Sequence, residues 1–445
     1  MVAQETISVK LWKKFYKLNN YYHYDIQKLI KNFISQDATV IEIEPKGGEL
    51  LASLYNKEKV GITIANFSSI KSVKSRYDYV VLSNTLSEVN NIQDFLKEIR
   101  KVVHKDSRII VTYFNFFWKP FLDLGERLGL KLPQVKEPNW LTETDIDNFF
   151  YLEGFEKIKS GNRFLVPYKI PIISDFINRY ISPLPIINSF CLTNWGIYRP
   201  IKKRGEYSVS VIIPARNEEG NMIGIIKKIP KFGKTLEIII VEGNSKDDTY
   251  KVATKEIKNY RGPVKAYLYK QKGKGKGDAV RLGFSKAKNE LLMILDADLT
   301  VDPRELPKFY DAAALGLGDL INGSRLVYPM EKQAMRVLNY LGNKFFSVAF
   351  SYLLGQKIKD TLCGTKVILK ENYEKIAKNR KIFGNFDPFG DFDLLFGAAK
   401  LNLKIVEIPI RYKDRSYGKT NISRFTHGWL LLKMVYFAAK NLKFV

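Results

Sequence analysis

The chain has 445 residues, of which 45% are hydrophobic and 13% aromatic; this suggests two or three domains with sizeable cores and excludes a disordered or fibrous chain. Lysine and arginine total 72 against 46 aspartate and glutamate, a net charge of +26, so we expect an anionic partner: nucleic acid, an anionic membrane or a phosphate-bearing substrate. Two cysteines exclude a disulfide framework, and three scattered histidines argue against a zinc site.

Two series of strands alternating with helices follow one another along the chain, as in parallel α/β sheets. The first series predicts strands over Thr39–Ile43, Lys59–Ile64, Tyr77–Leu82 and Arg108–Tyr113, and a helix over Ile92–Val103. The second series predicts strands over Val209–Pro214, Leu236–Val241, Lys265–Tyr269, Leu291–Leu295, Asp319–Gly323, Lys366–Leu369 and Lys404–Ile410. The sequence therefore predicts an α/β fold.

The basic segment Arg199–Gly205 contains proline and glycine without apolar periodicity, which is typical of a linker. It predicts two domains, 1–203 and 204–445. The second domain carries +18 of the net charge and the first +8, so the anionic partner is expected at the second.

No apolar stretch is long and uninterrupted enough to predict a membrane span, and the amino terminus lacks the apolar core of a signal peptide. The closest stretches are Val337–Leu354 and Trp429–Ala439. Both mix bulky apolar residues with lysine, as helices in a membrane interface do. We expect a cytoplasmic protein that contacts the membrane peripherally.

Two aspartates, Asp296 and Asp298, directly follow the apolar strand Leu291–Leu295. Ligands bind at the carboxyl ends of strands in open α/β sheets. Two carboxylates two positions apart can converge on one divalent cation, and their oxygens suit Mg²⁺ or Mn²⁺, which in turn hold a diphosphate. Asp302, by contrast, precedes Pro303 as the N-cap of a helix, and we assign it a structural role.

Seven motifs of the second domain occur together, from about Ser208 to the C-terminus, in an order that resembles family 2 glycosyltransferases of the GT-A fold. The motifs are VIIPARNEEGN, IIIVEGNSKDDT, GKGDAVRLGF, MILDADLT, INGSR, DTLCGTKVIL and EIPIRYKDRSYGKT. The chain resembles in particular the dolichol-phosphate mannosyltransferase type, which loads a sugar onto a polyprenyl phosphate. The family's strand-end acidic pair is replaced by Glu242-Gly243, which leaves the nucleotide base open.

The resemblance implies a role for individual residues of these motifs. The metal would be bound by Asp296 and Asp298. The nucleotide-sugar donor would contact Pro214, Ala215, Arg216, Glu218, Glu242, Asp278, Arg281 and Asp296. Phosphates or the acceptor would contact Arg336, Arg415 and Lys419. The catalytic residues would be Asp298, Arg325, Asp391 and Asp393.

Each of these residues also has a structural alternative. Glu218 could cap a helix, Arg325 could pair at the surface, and Arg415 and Lys419 could belong to a solvated basic run. The glycine- and lysine-rich segment Lys270–Phe284 precedes a helix predicted to begin near Asp278, so its amides and lysines could face an anion, or it could be a solvated loop.

Asp391 and Asp393 lie where the family carries an acid next to the acceptor; their alternative role is to cap the helix Leu394–Leu401. The resemblance implies inversion by direct displacement at the sugar C1. A lipid-phosphate acceptor is already ionised and needs no strong base. A hydroxyl acceptor needs a carboxylate to take its proton.

The first 200 residues resemble class I methyltransferases, whose Rossmann-like fold binds S-adenosylmethionine, through VIEIEPKGGELL, VGITIA and the segment from YDYVVLSNTL onward. The family's first loop joins an acid, here Glu42, to three glycines, but Glu44 and Lys46 replace the first two and only Gly48 remains. Thr63 replaces the acid that binds the ribose. Bulky residues there would block close approach of the cofactor, so we expect S-adenosylmethionine binding to be weak or absent and the domain to have a non-catalytic scaffold or docking role. Its tail, Arg163–Arg199, is expected to complete the last strands.

The sequence thus predicts an inverting, metal-dependent hexosyltransferase of glycan biosynthesis that uses a nucleotide sugar and a lipid-phosphate or saccharide acceptor. Two alternatives remain open. One is a bifunctional methyltransferase and glycosyltransferase acting on a saccharide hydroxyl. The other is a basic nucleic-acid-binding protein, for which no helix-turn-helix, zinc or RNA-binding motif is present.

Overall fold

A computed structural model describes residues 9–64, 76–133, 138–329, 337–380, 392–415, 417 and 424–444. The chain divides into two compact units, Met1–Ile201 with Lys443–Val445, and Lys202–Leu442. Each unit is built around its own β-sheet.

The first unit holds a six-stranded sheet in the order β2-β1-β3-β4-β6-β5. Its strands are β1 Val40–Ile43, β2 Lys59–Ile62, β3 Tyr77–Ser83, β4 Val103–Phe114, β5 Phe155–Arg163 and β6 Thr193–Pro200. Strands β1 to β4 are mutually parallel, whereas β6 runs antiparallel to both β4 and β5. The strand order reverses between β1 and β3, which is where doubly wound sheets open a crevice for a ligand.

Seven α-helices are described in this unit: α1 Val9–Leu18, α2 Asn20–Phe33, α3 Glu49–Ser53, α4 Ile92–Ile99, α5 Lys119–Arg127, α6 Glu143–Leu152 and α7 Ile173–Phe176. Short 3₁₀ turns cover Thr85–Ser87, Phe116–Trp118 and Ile187–Phe190, and a π-turn covers Ile177–Ile181. In α4, Ile92, Phe95 and Ile99 recur at helical spacing and are buried against the sheet.

Three expectations for this unit are corrected by the structure. Helix α4 ends at Ile99 instead of Val103, because Val103 already pairs with Tyr77 as the first residue of β4. Arg199 is not in a linker: it lies in β6, fully buried, with its guanidinium 2.6 Å from the carboxylate of Glu156. Only the ends of the tail form strands, and the segment between β5 and β6 folds into short helical turns.

The second unit holds a seven-stranded sheet in the order β13-β11-β12-β10-β7-β8-β9. Its strands are β7 Val209–Ala215, β8 Leu236–Glu242, β9 Lys265–Lys270, β10 Leu291–Ile294, β11 Leu320–Ser324, β12 Lys366–Leu369 and β13 Ile405–Pro409. Strand β12 is antiparallel to its neighbours β10 and β11, and the other pairs are parallel. Every predicted strand of this series is present, within two residues at each end.

The helices described in the second unit are α8 Glu219–Met222, α9 Ile225–Lys228, α10 Thr249–Asn259, α11 Gly275–Lys286, α12 Leu306–Ala314, α13 Val337–Leu354, α14 Lys370–Lys378, α15 Phe392–Lys400 and α16 Arg424–Ala438. A 3₁₀ turn covers Pro303–Glu305, and a π-turn follows α16 over Ala439–Lys443. Among the described helices, none is both long enough and apolar enough to cross a bilayer.

Both faces of the second sheet are covered, because alternate residues of its strands enter two separate hydrophobic clusters. Ile212 and Ile239 belong to one cluster, Val211 and Ile238 to the other. A strand buried on both faces must be apolar at every position, which explains the continuous runs in the sequence. Because β7, β8 and β10 are parallel neighbours, their carboxyl ends share one edge of the sheet. The candidate site lies at this edge.

Candidate active site

The two aspartates after β10 are each held by a basic side chain from another element. Lys276 near the start of α11 places its Nζ 2.6 Å from Oδ1 of Asp296. Gly364 packs directly on this pair, since a Cβ there would lie 2.1 Å from Asp296 Oδ2 and 2.3 Å from Lys276 Nζ. Only glycine fits so close an approach.

Asp298 is held on one side by its own loop and on the other by Arg415. Its Oδ1 accepts hydrogen bonds from the amide and hydroxyl of Thr300, at 3.2 and 2.9 Å. Its Oδ2 accepts a 2.6 Å hydrogen bond from Nη2 of Arg415. Leu299, between Asp298 and Thr300, has φ of 52°. This backbone conformation is strained for a non-glycine residue, and such strain is enriched at functional sites.

The strand-like segment around Arg415 is tied to the aspartate loop. Val301 and Tyr412 form an antiparallel bridge, and the amide of Lys413 donates to the carbonyl of Thr300 at 2.9 Å. Asp302 caps the next turn by accepting from the Arg304 amide, which confirms its structural role; it also pairs with Lys413 at 3.1 Å. These contacts explain how a residue more than a hundred positions away reaches Asp298.

Glu218, just beyond β7, joins the same group. Its Oε1 lies 3.2 Å from Nη1 of Arg415, and its Oε2 accepts from the Asn221 amide group at 2.7 Å. Burial raises the pKa of the Glu218 carboxyl, and the nearby charges of Asp298 and Asp296 add to this, while Asn221 and Arg415 oppose it. The structure therefore brings Glu218, Asp296, Asp298 and Arg415 together.

Four further residues predicted to contact the donor lie at the ends of β7 and β8 or directly after β7. Ala215 is buried at the end of β7, Pro214 is half-buried, and Arg216 is exposed. Glu242 ends β8 almost completely buried, with its carboxylate accepting from the Ser245 amide. That bond holds the turn after β8, so in this conformation Glu242 shapes the edge of the site.

A second cluster of charges links α11 to α15. Asp393 is buried and lies 3.7 Å from Nη1 of Arg281 and 3.4 Å from Nε of Arg380. Helix α11 begins at Gly275, three residues before the expected start, so Asp278 lies within its first turn. Asp393 sits inside α15 as its second residue, paired with arginines instead of capping the helix.

Arg325 lies at the end of β11 in a buried ion pair. Its Nε and Nη2 contact the two carboxylate oxygens of Asp360 at 2.7 and 2.8 Å. Burial by itself would lower the pKa of Arg325, but Asp360 outweighs burial and the pKa is raised. Asp360 begins the loop that ends at Gly364, so these contacts favour a positioning role for Arg325. The predicted residues Arg336, Asp391 and Lys419 lie outside the described residues.

Asp296 and Asp298 fit a divalent cation. Within the described ranges, no third histidine, cysteine or acid joins them in a metal-binding group. Mg²⁺ and Mn²⁺ commonly bind one or two carboxylates together with water and substrate phosphates. Both carboxylates already attract cationic groups in this structure, so the donor set suits such an ion.

The sequence reasoning missed Lys276, Asp360 and Gly364 as individual residues of this region. Lys276 is one of four lysines in the segment Lys270–Phe284, and its position depends on where α11 begins. Asp360 and Gly364 belong to the quoted motif DTLCGTKVIL, which was the available signal.

In the first unit, the loop after β1 is closed by side chains. Glu44, Lys46 and Gly48 all have positive φ, of 60°, 43° and 79°, although two of them are not glycine. Trp12 from α1 lies against Gly47, where a Cβ would be 2.1 Å from the indole nitrogen, and it donates to Glu49 at 2.9 Å. Lys46 pairs with Glu88 at 2.5 Å.

Comparison with known proteins gives a family match within the second unit. Residues 210–377 match the family described as glycosyl transferase family 2. The matched residues include Asp296, Asp298 and the Arg325–Asp360 pair.

Two curated relatives illustrate what this chain is similar to. The chain is 26% identical over 228 residues to the low-salt glycan biosynthesis hexosyltransferase Agl6 of Haloferax volcanii, covering 50% of this chain and 51% of that protein. It is 30% identical over 219 residues to the dolichol-phosphate mannosyltransferase of Pyrococcus furiosus, covering 48% of this chain and 59% of that protein. The chain thus spans somewhat more than half the length of these relatives.

Solved structures give a more distant similarity. Glucosyl-3-phosphoglycerate synthase from Mycobacterium tuberculosis, crystallised with Mn²⁺, uridine diphosphate and glucosyl-3-phosphoglycerate, matches 53% of this chain and 80% of its own chain. The identity is 17% and the TM-score 0.39.

Proposed function

We propose that this chain is an inverting, metal-dependent glycosyltransferase that moves a sugar from a nucleotide-diphosphate sugar to a membrane-associated acceptor, with polyprenyl phosphate as the favoured acceptor. The observation that carries the proposal is the pairing of Asp296 and Asp298 with Lys276 and Arg415 at the edge where β7, β8 and β10 end. Such alternation of acidic and basic groups suits a metal-bound diphosphate, because its charge is neutralised from both sides.

In this proposal each residue has a defined task. Asp296 and Asp298 hold Mg²⁺ or Mn²⁺, which when bound supplies charge neutralisation at the leaving diphosphate. Lys276 and Arg415, released from the aspartates, turn to the diphosphate oxygens. Arg325 holds the loop that packs Gly364 on Asp296.

The acceptor decides whether a base is needed. A lipid phosphate is ionised near neutral pH and attacks the sugar C1 directly. Asp393, paired with Arg281 and Arg380, is then more suited to orienting these arginines towards an acceptor phosphate than to removing a proton. The similarity to the dolichol-phosphate mannosyltransferase supports this acceptor class. The corresponding location is the cytoplasmic surface of the membrane.

For the first unit we propose a methyltransferase-like fold that does not bind S-adenosylmethionine and serves as a scaffold. The reversal of strand order at β1 and the positive φ of Glu44 and Lys46, where the family has glycine, support the fold. Trp12 packs on Gly47 and Lys46 pairs with Glu88 at the loop after β1, where the resemblance would put the cofactor, and this supports the absence of binding.

The glycosyltransferase proposal is tested with Asp298→Asn. We expect transfer from nucleotide sugar to polyprenyl phosphate to fall by at least about a hundredfold, because one metal ligand is lost, while the unfolding temperature stays near that of the wild type. Asp311→Asn, an acid in α12 outside the site, is the matched control. A fully active Asp298→Asn enzyme would contradict the metal role.

A further inference from the structure

Two segments of the first unit expose many apolar side chains. The first runs from Phe116 to Leu130 and includes α5; its exposed residues are Phe116, Phe117, Phe121, Leu124, Leu128 and Leu130. The second lies between β5 and β6; its most exposed aliphatic and phenylalanine side chains are Ile170, Ile172, Ile173, Phe176, Ile186 and Phe190. We call these residues together the apolar face. Contiguous exposed apolar surface of this kind marks an interaction site.

The two segments contact each other at one end. The rings of Phe117 and Phe190 lie with their centroids 5.4 Å apart. The Trp118 indole nitrogen donates to the Phe190 carbonyl at 2.8 Å, and the Asn115 side-chain amide donates to the Ser189 carbonyl at 2.7 Å. The end of the second segment is therefore fixed against the start of the first.

The second segment is built with its polar groups inside and its apolar groups outside. Ser174, Asn178 and Ser182 are buried. The side-chain oxygen of Asn178 accepts from the backbone amides of Leu165 and Val166 at 2.8 and 2.9 Å, and the Ser174 hydroxyl donates to the Tyr168 carbonyl at 2.7 Å. Backbone polar groups satisfied from within are what an apolar surrounding requires.

Two isoleucines of this segment are its most exposed apolar residues. Ile172 is 83% exposed and Ile186 is 80% exposed, and each follows a proline and has φ near +70°. The amide of Ile173 donates to the carbonyl of Pro171 at 2.7 Å, which closes a γ-turn of the rare, strained kind around Ile172. Strain of this kind persists where it serves a function, here the presentation of a large apolar side chain.

The charges around the apolar face favour an anionic lipid surface. Lys169 and Asp175 neutralise each other at 2.6 Å. Helix α1 contains no acid and exposes Lys13, Lys14 and Lys17. It adjoins the first segment, because the Asn19 side chain donates to the Leu130 carbonyl at 3.0 Å. Lysines beside bulky apolar residues are characteristic of helices and loops that bind at a lipid headgroup region.

We propose that the apolar face inserts into the interfacial region of a bilayer containing anionic lipids, with the lysines of α1 contacting the headgroups. This gives the first unit a role that catalysis does not require, which is to hold the chain at a membrane surface. The inference stands independently of the glycosyltransferase chemistry, because it rests on a different unit and different residues.

The test uses the full-length chain and measures its sedimentation with vesicles. The vesicles contain phosphatidylcholine and phosphatidylglycerol in a ratio of about 3:1 and no polyprenyl phosphate. We expect the wild type to bind these vesicles and to bind pure phosphatidylcholine more weakly. Replacing both exposed isoleucines, Ile172→Ser with Ile186→Ser, should weaken vesicle binding by at least about tenfold. Phe121→Ser with Leu128→Ser should do the same from the other segment.

The matched control is Tyr55→Ser with Leu152→Ser, which removes apolar side chains 79% and 67% exposed elsewhere in the first unit and should leave vesicle binding unchanged. All variants should keep the wild-type unfolding temperature and the same response to nucleotide sugar. The inference is overturned if the wild type does not bind vesicles or if both face variants bind as the wild type does. It is equally overturned if the wild type is a dimer that the face variants convert to monomers, since the face would then meet a second copy.

Discussion

At the scale of single residues, the two carboxylates that we propose bind the metal are each paired with a basic side chain. Lys276 contacts Asp296 and Arg415 contacts Asp298. The lysine should therefore have opposite effects on two ligands: it competes with a free divalent cation but attracts a nucleoside diphosphate.

This competition can be measured with Lys276→Met. We expect Mn²⁺ alone to bind roughly three- to tenfold more tightly, since a partly exposed charge-assisted contact to Asp296 is removed, and nucleoside diphosphate with Mn²⁺ to bind more weakly. The free Mn²⁺ signal in electron paramagnetic resonance measures the first effect and calorimetry the second. Lys274→Met, an exposed lysine of the same loop, should change neither; weaker Mn²⁺ binding by Lys276→Met would contradict the competition.

Glu42 provides a residue-scale prediction in the first unit. It is buried within β1, its Oε2 has no hydrogen-bond partner among the described groups, and burial raises the pKa of its carboxyl to about 8. The folded state therefore keeps a proton that the unfolded state releases near its ordinary pKa. Stability from this group is complete at low pH and is lost as pH rises through the folded pKa, over the window from about 4.5 to 8.

We accordingly expect Glu42→Gln to raise the unfolding temperature at pH 8 by at least roughly 4 °C and to change it little at pH 4. Thermal unfolding followed by circular dichroism across this range measures the effect. Glu58→Gln, at an exposed position, serves as the control. An equal gain at both pH values would show that Glu42 is not protonated in the folded state.

At the scale of elements, the Arg325–Asp360 pair joins three parts of the second unit. Asp360 also accepts from the Asn343 side chain on α13 at 3.2 Å, and its carbonyl accepts from Asn322 on β11 at 2.7 Å. The loop that begins at Asp360 ends at Gly364 against Asp296. The pair thus links β11 and α13 to the carboxylate that we propose binds the metal.

Breaking this pair should be more damaging than replacing it. Asp360→Leu leaves a buried, unpaired Arg325, so we expect a loss of about 3–5 kcal/mol in the free energy of unfolding. Arg325→Met with Asp360→Leu removes both charges and should recover most of that loss while kcat stays low and KM for the donor changes little. Denaturant unfolding and steady-state kinetics measure the two effects. If the double variant recovered full kcat, the pair would not position the site.

At the scale of the whole molecule, two units with separate sheets and cores carry two different ligand-binding prospects. The carboxyl edge of the second sheet is lined by acids and bases, whereas the loop after β1 of the first sheet is held by the Trp12–Glu49 hydrogen bond and the Lys46–Glu88 pair. Each unit should therefore respond differently to the ligand that its sequence motifs suggest.

Thermal unfolding in the presence of ligands separates these prospects. A nucleotide sugar with Mn²⁺ should raise an unfolding midpoint, because binding to the folded state stabilises it by mass action. S-adenosylmethionine at the same concentration should raise none. Trp12→Ala should be measured alongside the wild type, since it removes the side chain that packs on Gly47. A shift with S-adenosylmethionine in the wild type would contradict the scaffold proposal.

The helices and strands of both units were largely predictable because buried strands and amphipathic helices have short sequence periods. The errors occurred where a tertiary contact overrode the local pattern. Helix α4 ends before its predicted last residue because Val103 pairs with Tyr77 in the sheet. Arg199 is a charged residue in a buried strand because Glu156 neutralises it. The tail between β5 and β6 has strand-like apolar residues, but buried Asn178 and Ser174 fold it into turns.

The sequence by itself determined the α/β class, the series of strands and the acidic pair after β10, because each depends on residues close together in the chain. Only the tertiary structure decided which distant groups meet: Lys276 and Arg415 at the aspartates, Asp360 at Arg325, and Phe117 at Phe190. These contacts depend on strand order, loop path and the exact start of helices. No periodicity within a segment encodes them, because they result from the packing of the whole unit.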